Sequence, residues 1–232
     1  MNLKLLAATL AAGLSFAAAA NATTYTFRTA SPGMVATPAA PAAPVAPSNT
    51  YATWNPSDAG KGFAFSNNNL TATSSGGVAV RATIGKSSGK WYYEEVISTA
   101  TSATSFPSLV GIATSSDPLS TSGCGGPGDY LVYGTLEFSG SNCTYSSFSS
   151  YSWSSGVTIG VAVDLDKHTL TLYDNGQSLG TAFASIPAGT YYPMTSDPGV
   201  TGKSTTETAN FGATPFSYPV PSGYNAGWYN SN

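Results

Sequence analysis

Thr169-Leu170-Thr171-Leu172-Tyr173-Asp174-Asn175-Gly176-Gln177-Ser178-Leu179 reads as a hairpin. Polar and apolar residues alternate up to Tyr173, which sets Leu170 and Leu172 on one face of a strand. Asn175-Gly176 then supplies two residues that readily take positive φ in a tight turn. Upstream, 157–165 is almost continuously apolar, the pattern of a strand covered on both sides, and Asp166-Lys167 turns the chain into the next run. These three runs are expected to form a meander. Outward from it, short apolar or alternating runs recur between clusters of Gly, Asn, Asp, Ser and Pro. Further strands are expected over 62–66, 78–84, 90–98, 108–113, 129–133, 191–195 and 207–211. Their lengths and spacing point to an all-β fold, two stacked antiparallel sheets in a sandwich.

Composition excludes several other classes. Only 8% of the 232 residues are charged, against about a quarter in typical domains, which removes coiled coils and helical bundles. The formal net charge of -3 lacks the positive field that phosphate neutralisation needs, so nucleic acid is not an expected partner.

The first 22 residues have the layout of a secretory signal. Lys4 precedes an apolar run over 5–20, and Ala20-Asn21-Ala22 offers small residues for cleavage after Ala22. The run is shorter than the roughly 20 residues of a spanning helix, and no second long apolar stretch follows, so no membrane span is expected in the mature chain. A secreted or periplasmic location follows. Cys124 and Cys143 would there meet conditions in which disulfides persist, and pairing them would stabilise the fold by about 3 kcal/mol on the chain-entropy model. Residues 23–50 read as a short arm, with Tyr25-Thr26-Phe27-Arg28 at its start, and an Ala/Pro-rich linker. Residues 51–232 carry the sandwich.

Within that span the residues resemble the SPRY domain, in the compact form seen in bacterial and phage-type proteins. The resemblance is carried by Trp54-Asn55-Pro56-Ser57-Asp58, Asn69-Leu70-Thr71-Ala72-Thr73, Val80-Arg81-Ala82-Thr83, Ser88-Gly89-Lys90-Trp91-Tyr92-Tyr93-Glu94 and Val110-Gly111-Ile112-Ala113. It continues through Ile159-Gly160-Val161-Ala162-Val163-Asp164-Leu165-Asp166, Leu172-Tyr173-Asp174-Asn175-Gly176, Leu179-Gly180, Tyr192-Pro193 and Ala209-Asn210-Phe211-Gly212. It implies a concanavalin-A-like sandwich whose end loops bind peptides or proteins, and no catalytic activity.

Tyr145, Phe148, Tyr151 and Trp153 lie among many serines, a composition like that of antibody loops, where rigid aromatics supply contact area. They are the candidate binding surface, and the alternative is that they fold back to cap the sandwich. Tyr130 and Tyr133 adjoin them. Arg81 reads either as a ligand contact or as a structural hydrogen-bond partner.

The competing class is a glycan-hydrolysing sandwich, which needs two carboxyls across a groove. Glu94 and Glu95 are adjacent and point to opposite faces, while Asp164 and Asp166 enter a turn where solvated carboxylates are ordinary. His168, the only histidine, is expected on the surface of a turn, and two Cys with one His cannot build a four-ligand zinc site. No cofactor or metal is expected. Asn69-Leu70-Thr71 and Asn142-Cys143-Thr144 match the glycosylation pattern, which arises readily by chance in a chain rich in Asn and Thr. The reading is an exported binding module for a protein, peptide or surface glycan. A third alternative is a structural component of a surface assembly.

Overall fold

The structure is a computed structural model and describes residues 48–74, 76, 78–99, 108–119, 128–133, 136–139, 144–148, 153–197 and 204–232. The leader, the arm and linker up to residue 47, Cys124 and Cys143 with their expected disulfide, Asn142 and Tyr151 lie outside the described residues. In chain order the strands are β1 (Thr50–Tyr51), β2 (Trp54–Ala59), β3 (Ala64–Ser66), β4 (Thr71–Ser74), β5 (Ala79–Ala82), β6 (Lys90–Thr99), β7 (Leu109–Thr114) and β8 (Asp129–Tyr133). They continue as β9 (Leu136–Ser139), β10 (Thr144–Ser147), β11 (Val157–Asp164), β12 (Thr169–Asp174), β13 (Gln177–Phe183), β14 (Tyr191–Ser196), β15 (Thr205–Asn210), β16 (Asn225–Ala226) and β17 (Tyr229–Asn230). No helix occurs among the described residues.

The strands build a sandwich. The first sheet runs β10-β9-β8-β7-β14-β5-β2, and the second runs β13-β12-β11-β6-β15-β4-β3 with β16 added to β6. Neighbours within these sheets are antiparallel, except that β16 joins β6 in parallel, which departs from the purely antiparallel expectation. The expected meander is β11-β12-β13. Its turn places Asn175 at φ 45° and Gly176 at φ 79°, as a mirror-image two-residue turn requires. All eight residues of β11 are buried, so it is covered on both faces.

Every strand expected within the described residues is present, with ends shifted by a residue or two, except that β13 runs four residues past Leu179. Seven strands were not anticipated: the two-residue β1, β16 and β17, and four longer ones. Trp54–Ala59 contains Pro56 and pairs with β5 only at its two ends across an irregularity, as an edge strand can. Thr71–Ser74 has no apolar alternation and is a strand because β15 and β3 flank it. Leu136–Ser139 and Thr144–Ser147 extend the first sheet within the Ser-rich region.

Side-chain alternation makes the core. Tyr93, Ile97, Val161, Leu172 and Phe211 from the second sheet meet Trp54, Val80, Val110 and Ile112 from the first, all fully or almost fully buried. Trp54 packs edge-on to Phe211 at 5.2 Å between ring centres. A smaller cluster of Ala79, Leu109, Ala113, Leu131 and Met194 covers the outside of the first sheet, with Leu119 packed against it.

The C-terminal segment covers part of the other outer surface. Phe216 stacks edge-on to Tyr92 at 5.1 Å, and the Glu94 carboxylate accepts the N–H groups of Ser217 (2.9 Å) and Tyr218 (3.0 Å). The chain then re-enters the core at Trp228, which is fully buried and donates Nε1–H to the Ile84 carbonyl at 2.9 Å. Finally β17 pairs with β1, Thr50 opposite Asn230 and Tyr51 opposite Tyr229, so the two ends of the described domain are clasped together.

Candidate functional site: a cleft on the outer face of the first sheet

Arg81 leaves β5 on the outward side and its guanidinium is almost fully engaged. Nε and Nη2 donate to the two oxygens of Asp58, each at 2.8 Å, and Nη1 donates to the carbonyls of Asp117 (2.7 Å) and Thr114 (3.1 Å). Asp117 in turn accepts the N–H of Thr114 and of Gly128 and the hydroxyl of Thr114. A bidentate pair combined with two carbonyl contacts is the use for which arginine's planar fork is suited. The network ties β2, β5 and the segment after β7 into one frame.

That frame encloses an open cleft of about 640 Å³. Its floor and walls are Val78, Arg81, Pro118 and Leu119, and the turn after β2 supplies Ala59, Gly60 and Lys61 to its edge. The close approach of the turn requires Gly60, because a Cβ there would lie 2.5 Å from both the Leu119 carbonyl oxygen and the Val78 Cβ. The Gly60 N–H donates to Ala79 and the Ala79 N–H to Leu119. Lys61 is exposed beside this apolar surface, whereas the charges of Arg81 and Asp117 are already spent on the protein itself.

The aromatic candidates are not gathered in one place. Trp153 is only 5% exposed and belongs to the core, so its ring area is used in packing and not on the rim. Phe148 and Tyr130 are half-buried and pack against that same core. Tyr130 lies edge-on to Phe183 (5.2 Å) and to Tyr191 (5.9 Å), while burial, and then the neighbouring Tyr130, push the Tyr191 phenol up to about 12. Tyr133 and Tyr145 are placed by their backbones at the end of β8 and on β10.

The carboxyl candidates are spread in the same way. Glu94 faces outward under the C-terminal segment and Glu95 faces the sandwich interior, as strand alternation requires. Asp164 is buried, which corrects the expectation of a solvated carboxylate: it accepts the N–H groups of Asp166 and Lys167 and pairs with Lys90 at 3.1 Å. Burial alone would raise its pKa, but the Lys167 N–H, the Lys90 ammonium and the Asp166 N–H hold it below the usual carboxylate range. Asp166 accepts the Gly89 N–H. His168 sits in the turn at φ 61° and is half-buried.

Arg81 is the one cleft residue that stood out in the sequence; the cleft's residues come from three separate segments, and the other local sign is the turn signal in Asp58-Ala59-Gly60-Lys61.

Comparison with known proteins agrees with this architecture. Residues 90–212 match the sequence profile of the SPRY domain. Over 137 residues, 57% of this chain, it is 34% identical to the E3 ubiquitin-protein ligase RKP of Arabidopsis thaliana, and it spans about a tenth of that relative's length. The fold is similar to the SPRY domain of human HERC1, with a TM-score of 0.57 and 16% identity over 67% of this chain and 96% of that one. It is also similar to stonustoxin, with a TM-score of 0.54 and 18% identity over 69% and 27% of the respective chains. With the profile covering more than half of its length and a sandwich of the matching kind, the chain belongs to the SPRY-domain family, whose members are typically protein-interaction modules.

Proposed function

We propose that this chain is an exported, non-catalytic binding module that recognises a peptide or protein segment at the cleft beside Arg81, with the Ser-rich aromatic region extending the contact. The observation that carries the reading is the cleft itself: an open apolar hollow on a frame whose charged groups are already neutralised internally. Such a surface favours apolar side chains and backbone hydrogen bonds over ionic ligands. Export is supported by the charged, apolar and small-residue order of the first 22 residues. A non-catalytic role is supported by the carboxyls, which face opposite sides at Glu94 and Glu95 and are occupied by backbone N–H groups at Asp164 and Asp166.

Selection of a random peptide library on the purified full chain tests this, with a glycan array run in parallel. Enriched peptides should lose binding to a Lys61→Glu/Pro118→Glu variant, whose positions are both exposed, while the melting temperature is kept. Peptides that bind this variant as well as the parent would move the site away from the cleft, and Tyr145→Ala with Phe148→Ala would then test the aromatic region. Retention of glycans alone would favour the glycan reading, and turnover of a glycan would overturn the non-catalytic one.

A further inference from the structure

Strands of both sheets bring carboxyl groups into the sandwich interior. Alternation on β6 turns Glu95 inward with Tyr93 and Ile97, and alternation on β15 turns Glu207 inward with Ala209. The register sets Glu207 opposite Ile97 and Ala209 opposite Glu95, so the two glutamates are diagonal neighbours on one face. From the facing sheet, Asp197 follows β14 two residues beyond Thr195 and interacts with Glu207. Glu95 is 0%, Glu207 1% and Asp197 2% exposed, in a chain with only 11 acidic residues.

The setting offers these groups little. Neither oxygen of Glu95 or of Glu207 makes a hydrogen bond of ordinary geometry; of the hydroxyls beside them, that of Thr195 donates to the Leu109 carbonyl at 3.2 Å and that of Thr205 has no partner. The buried hydroxyls of Ser108 and Thr205, on the inward rows of β7 and β15, also lack partners. The other polar groups on the inward rows are Tyr93 on β6, whose hydroxyl donates to the Gly111 carbonyl, and Ser74 on β4, which accepts the Gly76 N–H. β5 and β11 present Val80, Val157 and Ile159.

Among the described residues, the cations are all engaged elsewhere or exposed. Arg81 holds Asp58, Lys86 lies over Trp91, Lys90 pairs with Asp164, Lys61 and Lys167 are exposed, and His168 is in the β11–β12 turn. No three His, Cys, Asp or Glu side chains among the described residues are placed to share a metal ion.

A buried carboxylate with neither cation nor donors is far costlier than the neutral acid. We propose that Glu95 and Glu207 form a proton latch: the sheets close over the two glutamates as neutral acids, and their ionisation loosens this part of the sandwich. In accord with the geometry, burial first and the charge of Glu207 second push Glu95 well above the usual range, and burial raises Glu207 to about 8. An unfolded glutamate releases its proton near 4.5. Below that pH both states are protonated and the latch costs nothing. For Glu207, between about 4.5 and 8 only the folded state keeps the proton, so rising pH favours unfolding, and above about 8 its share of the penalty stops growing; Glu95, also raised, acts in the same direction.

Unfolding of the full chain by urea and by heat, from pH 4.5 to 9, tests the latch in the parent, Glu95→Gln, Glu207→Gln and the double variant. The parent's unfolding constant should rise by at least roughly two to three orders of magnitude between pH 5 and 8, the share of Glu207 alone, and the double variant should lose most of the rise. Amide exchange, corrected for intrinsic rate, should show the loosening on β6, β14 and β15 before the β11–β12 hairpin. A flat parent profile overturns the proposal, as does a double variant that keeps the parent's slope. Should the double variant fail to fold, carboxyl NMR titration of the parent decides, since a glutamate pair releasing its protons near 4.5 would overturn the latch. Millimolar calcium that abolishes the parent's pH dependence would also overturn it, in favour of a cation.

Discussion

Glu94 and Glu95 are consecutive on β6 and both are buried, yet one is surrounded by donors and the other has none. Glu94 accepts the Tyr92 hydroxyl at 3.1 Å and two N–H groups of the C-terminal segment. Glu95 meets Thr195 only loosely and lies near a second carboxyl. The contrast shows that depth does not decide whether a charge is tolerated; the number of donors aimed at it does. On the outer face the second sheet holds its own C-terminal segment with an ionic anchor. On the inner face it carries groups that favour the neutral form.

Removing the anchor is the most damaging way to probe this contrast. Glu94→Ala leaves two N–H groups and a hydroxyl without their acceptor, and should lower stability by about 3–5 kcal/mol in urea denaturation at pH 7. A loss below about 1 kcal/mol would mean that the segment is held by its aromatics alone. The inner pair should respond with the opposite sign. The double Glu95→Gln, Glu207→Gln variant should gain roughly 2–4 kcal/mol over the parent at pH 8 and almost nothing at pH 4.5.

Smaller changes sharpen the picture of the outer face. Tyr92→Phe deletes the hydroxyl that Glu94 accepts and should cost about 1 kcal/mol by the same assay. It also removes a phenol whose ionisation is pushed far up, first by burial and then by the Glu94 charge. Tyr218→Phe loses an exposed 3.2 Å bond to Asn175 and should cost less than about 0.5 kcal/mol by thermal melting.

Some of this was legible in the chain before folding. The period of two assigned Glu94 and Glu95 to opposite faces, and Asn175-Gly176 marked the hairpin, because both are properties of adjacent residues. The acidic interior was not legible. Residues 95, 197 and 207 are up to 112 positions apart and meet only after β15 pairs with β6 and the first sheet closes over them. Trp153 illustrates the same limit: its Ser-rich surroundings left open whether it lies on a binding loop or folds back onto the sandwich, and the indole packs in the core, drawn there by the area it buries. Arg81 stood out in sequence as a lone cation in an apolar strand, but its partners Asp58 and Asp117 are 23 and 36 residues away.

The pairing of Thr50–Tyr51 with Tyr229–Asn230 has a mechanical consequence. Entry and exit lie one strand spacing apart, roughly 5 Å, so tension between the two flanks is carried by a single short ladder and bypasses the sandwich. A unit wired in this way can be spliced into a surface loop of a host protein whose stems are equally close, without stretching either partner.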